Sequence, residues 1–71
     1  MVDSGAIQRD FGKRLKELRK ERDLSQEKLG FKAGIDRTFV NSIENGRRNV
    51  TLVTIFRLAF ALGIEPRELM P

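Results

Sequence analysis

The chain has no cysteine, histidine, tryptophan or tyrosine, and only two prolines and five phenylalanines among its 71 residues. Each absence excludes something. Without cysteine there is no disulfide and no thiolate metal site, and a cytoplasmic location is the default expectation. Without histidine or cysteine the commonest nucleophile, general-base and zinc-ligand sets are missing, which leaves only carboxylates, lysines and hydroxyls for chemistry. We therefore expect a chain that is no enzyme and carries no metal, cofactor or small-molecule ligand. No stretch approaches the ~18 consecutive apolar residues of a membrane span, and the opening MVDSGAIQRDF contains no apolar export core. A membrane partner is not expected. Internal repeats, low-complexity tracts and long linkers are also missing, so residues 1–71 are expected to form one domain.

What the chain has in excess is positive charge. Fourteen Lys and Arg against ten Asp and Glu give a net charge of +4 and a pI near 10.1. That balance favours an anionic partner such as nucleic acid, although many domains of this charge bind none. So short a chain buries a modest share of its surface, and a monomer would be marginally stable without outside help.

The most structured stretch is residues 25–46, SQEKLGFKAGIDRTFVNSIENG. Ser25 and Asp36 are good N-caps, and Gly34 and Gly46 are good helix stops, because glycine takes the left-handed conformation that closes a helix. The spacing predicts two short helices joined by a tight corner. Leu29, Ile35, Val40 and Ile43 fall where they can share one core, while Arg37, Thr38, Asn41, Ser42 and Asn45 point elsewhere. That second set is rich in side chains that pair with bases and phosphates. Gly30 would let the two helices approach closely.

Before this stretch, Ile7, Phe11, Leu15 and Leu18 form an apolar stripe on a first helix predicted from Ala6 to Arg22, with residues 1–5 as a frayed arm. Gly12 in mid-helix costs roughly 1 kcal/mol against alanine, and so it points to a close helix contact. Arg9, Lys13, Lys16 and Lys20 share one face, which reads as solvated and balanced by Asp10–Arg14 and Lys13–Glu17 pairs. After it, Thr51 caps a fourth helix, Leu52 to Leu62, stopped by Gly63. That helix is apolar nearly all round, more than one small core needs. The tail from Ile64 to Met70 predicts a last short helix with Pro66 in its first turn.

The glycine and aliphatic pattern Gly30, Gly34, Val40, Ile43, with the run SQ…LG…AG…D…I…ENG, resembles the Cro-like (XRE) helix-turn-helix family of phage-repressor-type proteins. The narrower run DRTFVNSIENGRRNVTL, Asp36 to Leu52, is similar to restriction-modification controller proteins. Those are small stand-alone dimers that bind repeated operators upstream of their own gene and the endonuclease gene, first activating and then repressing. The resemblance covers about residues 7–70. It implies an all-α, five-helix, lambda-repressor-like fold with the helix-turn-helix proper at 25–46. It implies double-stranded DNA as partner, with RNA polymerase as a further candidate.

Residue roles follow from the matched positions. Arg37 and Thr38, just past the second cap, are the expected base readers, with Asn41 and Ser42 one turn on. Gln26, Asn45 and Arg47 match phosphate-holding positions, and Arg48 reaches phosphate or base. Phe39 is read as packing on protein. Arg19 is expected to pair with Glu44 as a structural brace. Val53 and Phe60 stand where related sequences commonly carry polar residues, so Val53, Phe56, Phe60, Ile64, Leu69 and Met70 are expected to form a homodimer interface within residues 52–70. Asn41 and Ser42 depart from the commoner small-residue pair, and the operator sequence is not carried over. Two other functions fit the sequence: another small phage- or plasmid-type repressor, and an antitoxin-like adaptor whose fourth helix binds a different protein. An adaptor would show no specific DNA shift without its partner.

Overall fold

The computed structural model describes all 71 residues, Met1–Pro71. The chain is entirely helical: α1 Ser4–Glu21, α2 Gln26–Ala33, α3 Arg37–Glu44 and α4 Leu52–Leu62, followed by one 3-10 turn, Pro66–Leu69. The expected fifth helix is thus a single tight turn, as the four residues Pro66–Leu69 cannot build a stable α-helix. Glu65 and Glu68 close that turn with a capping box.

Caps set the other boundaries. Ser25 Oγ accepts from Lys28 N at 3.0 Å, Asp36 Oδ2 from Thr38 N at 2.8 Å and Thr51 Oγ1 from Thr54 N at 3.1 Å. Gly34 and Gly63 stop α2 and α4 in the left-handed conformation. α3 ends at Glu44, one residue short of the expected end, with Asn45 as C-cap ahead of Gly46. The first helix departs most from expectation. Asp3 Oδ1 accepts from Ala6 N at 3.1 Å, so α1 begins at Ser4 within the segment expected to fray.

The core draws on every element: Phe11, Leu15 and Leu18 of α1, Leu29 and Ala33 of α2, Val40 and Ile43 of α3, Leu58, Ala59 and Leu62 of α4, and Leu69 of the final turn. Each fully buried Leu or Ile contributes on the order of 1.5–3 kcal/mol. Ile35 packs against this core from the corner, but Ile7 is 45% exposed and lies outside it. Two glycines make the packing of α1 on α3, and of α2 on the corner that leads into α3, achievable. A Cβ on Gly12 would lie 2.1 Å from the Ile43 carbonyl oxygen, and one on Gly30 would lie 2.5 Å from that of Ile35. Backbone therefore meets backbone at both points, and a side chain at either would force α1 off α3 or α2 off the corner.

Long arginines tie the ends together. Arg14 Nε donates to Glu68 O at 2.9 Å, and Arg22 Nε to Leu62 O at 2.7 Å. Arg14 also lies 3.9 Å from Glu17. Thus Arg14 serves the tail and Glu17, replacing the two expected i, i+4 pairs.

Candidate nucleic-acid interface

The candidate surface is built on α3, and α3 is held from beneath by a buried ion pair. Arg19 Nε donates to Glu44 Oε2 at 2.6 Å and Nη2 to Glu44 Oε1 at 3.0 Å, while Nη1 donates to Leu24 O at 2.7 Å. The two side chains are only 10% and 2% exposed. A bidentate, fork-on-fork pair fixes orientation as well as distance. Removed from solvent, it locks the C-terminal turn of α3 onto α1.

Asp36 sets the other end of α3. Its carboxylate accepts the Thr38 backbone N–H, and this bond, helped by the Thr38 hydroxyl and the Arg37 charge, holds its pKa below the ordinary carboxylate value. Arg37 and Thr38 follow at once, both exposed. Arg37 enters none of the chain's ion pairs. The helix-turn-helix corner thereby presents an uncommitted guanidinium at a helix start.

One turn further, Asn41 is exposed and Ser42 half-buried. Asn41 belongs to a chain of amides that sequence reasoning did not foresee. Gln26 Nε2 donates to Glu44 Oε1 at 3.0 Å, and its Oε1 accepts from Asn41 Nδ2 at 3.3 Å. Asn45 Nδ2 donates to Asn41 Oδ1 at 3.1 Å. Gln26 and Asn45, expected only at phosphate, are thus also engaged with their neighbours. Side-chain amides leave no periodic signal, so only the fold could bring these together.

Past α3, Arg47 and Arg48 are exposed. Arg48 Cζ stands 5.2 Å over the Phe39 ring, a cation–π distance that holds the guanidinium on the flank of α3. Phe39 itself packs against the core. Arg9, read in sequence as part of a solvated face, lies with its stem against Gly46, where an added Cβ would come within 2.7 Å of Arg9 Cγ. That contact puts a further basic residue beside the basic loop.

The expected dimer residues separate into three groups. Val53, Phe56 and Phe60 are 62%, 55% and 84% exposed, as is Leu52 at 70%. They line one groove with Lys32 and Ala33. Ile64 is half-buried against the chain's own core. Leu69 is fully buried and so unavailable to a partner, and Met70, 47% exposed, lines a different groove beside Ile7, Phe11 and Ile55. An apolar residue in a short tail looks the same in sequence whether its own core or a partner covers it.

A helix-turn-helix family profile matches residues 15–69. The control protein C.MunI of Mycoplasma sp is 52% identical over 60 residues, 83% of this chain and 81% of that protein. Among solved structures, the restriction-modification controller protein C.AhdI from Aeromonas hydrophila superposes with a TM-score of 0.90 at 55% identity, over 92% of this chain and 98% of that one. The controller protein C.Esp1396I, solved as a tetramer in complex with its natural 35 base-pair operator, gives a TM-score of 0.79 at 27% identity, over 83% of this chain and 78% of that one.

Proposed function

The chain belongs to the helix-turn-helix family of DNA-binding transcription regulators, and on that premise we propose that it is a restriction-modification controller protein that binds a dyad-symmetric operator as a homodimer. The observation that carries the reading is the pairing of an uncommitted Arg37 at the exposed start of α3 with the buried Arg19–Glu44 brace at its end. A reading helix must be rigid where it meets protein and open where it meets DNA. Arg37 takes guanine O6 and N7, Thr38 offers a hydroxyl and a methyl, and Asn41 and Ser42 read one turn on. Gln26, Asn45, Arg47 and Arg48 hold phosphates and set the register. The groove of Leu52, Val53, Phe56 and Phe60 joins two copies, placing their reading helices on half-sites ~10 bp apart. Such a protein acts in the cytoplasm as a binder, without catalysis.

Arg37→Ala and Arg47→Ala test the assignment across a salt series. The first is expected to cost about 1–3 kcal/mol of discrimination at one base pair, and the second to weaken all sequences and flatten the salt slope. Unchanged operator affinity in both variants would remove it.

A further inference from the structure

The Asn41 amide is held from both sides, and the direction in which it is held is inherited from the buried ion pair. A carboxylate only accepts hydrogen bonds, so Glu44 Oε1, already bonded to Arg19 Nη2, takes the Nε2 end of Gln26. The Gln26 amide is thereby turned with Oε1 toward Asn41. An oxygen there accepts only, and it draws the Nδ2 end of Asn41 toward it. Asn41 Oδ1 then faces Asn45 Nδ2, which is itself anchored on the Asn41 carbonyl at 2.9 Å.

An asparagine amide has two N–H donors and two oxygen lone pairs. One of each is used inside the chain, and one of each remains for a ligand at this exposed position. That remainder is the complement of adenine, which accepts at N7 and donates from N6. Guanine offers two acceptors at the same edge, and would set one of them against Asn41 Oδ1. Because the amide is already oriented, less side-chain freedom is lost on contact.

We propose that Asn41 reads adenine and that Gln26 is its positioning residue, carrying the orientation fixed at Glu44 out to the DNA surface. This rests on the DNA-binding function above and extends it to the base that is read. Gln26 keeps a second N–H, so holding Asn41 and donating to a phosphate are compatible.

The full chain and its Asn41→Ala, Gln26→Ala and Gln26→Met variants, each checked for helical content, are presented with a duplex pool randomised over both half-sites. Affinities are then measured for the best wild-type duplex and its single base-pair changes. Wild type loses roughly 5- to 150-fold when one A·T pair in one half-site is replaced. In Asn41→Ala that ratio falls toward one. Gln26→Met, which keeps the stem of the side chain, lowers the ratio at the same pair, and adding it to Asn41→Ala lowers it no further, as for residues acting as a unit. The salt slope stays unchanged, because no charge is altered.

Two results would overturn the proposal: Gln26 variants that weaken every duplex by a common factor with the A·T ratio intact, or Asn41→Ala that leaves every base ratio as in wild type. A wild-type chain that selects no sequence at all would instead defeat the DNA-binding function, and the adenine contact with it.

Discussion

Arg19 and Glu44 are where a single side chain matters most. With Glu44 replaced by Ala, the Arg19 fork keeps only the Leu24 carbonyl and becomes a buried charge without a counterion. The expected cost is about 3–5 kcal/mol, measured by denaturant unfolding. A joint Arg19→Met, Glu44→Leu replacement should recover most of that stability, since removing both charges also removes the desolvation they impose. Equal destabilisation by the single and joint changes would contradict this. The pairing was legible in the sequence only through family resemblance, because residues 25 apart leave no local signal. Gly12 was legible from physics alone, as a glycine standing where helix propensity argues against it. Leu69 and Ile7 were not. Both are apolar at helical spacing, yet the fold buries one completely and leaves the other on the surface.

At the scale of the element, α3 depends on its cap. The pKa of Asp36 is lowered in the folded state, so its contribution is present above the ordinary carboxylate value and is lost as pH falls through the folded value. Asn also caps helices but does not titrate. Wild type should therefore exceed Asp36→Asn in stability at neutral pH, and the difference should begin to shrink as pH falls below about 4, the ordinary carboxylate value, and be gone once pH is below the lowered folded value. Parallel stability profiles for the two from neutral to acid pH would contradict the cap's electrostatic role. Cap and stop residues also explain why α2, α3 and α4 could be bounded closely from sequence. Ser25, Asp36 and Thr51 are each followed by a helical pattern, and Gly34 and Gly63 end two of them. Asp3 is an equally good cap, but the small polar residues around it resemble a frayed arm. Only the observed bond to Ala6 distinguishes the two.

The molecule as a whole combines a small shared core, a net charge of +4 and an apolar groove on α4. Covering that groove with a second copy would hide Leu52, Val53, Phe56 and Phe60 and add stability to a chain of marginal size. Sedimentation at tens of micromolar should find a dimer, and Phe60→Glu a monomer of similar helical content. A monomeric wild type, unaltered by Phe60→Glu, would remove the dimer. The most direct measurement is footprinting of the wild-type chain on the DNA immediately upstream of its own gene. The expected result is protection of a dyad-symmetric segment with half-site centres ~10 bp apart, abolished at the same protein concentration by Arg37→Ala. Uniform protection of unrelated DNA, or a symmetric footprint that survives Arg37→Ala unchanged, would contradict it.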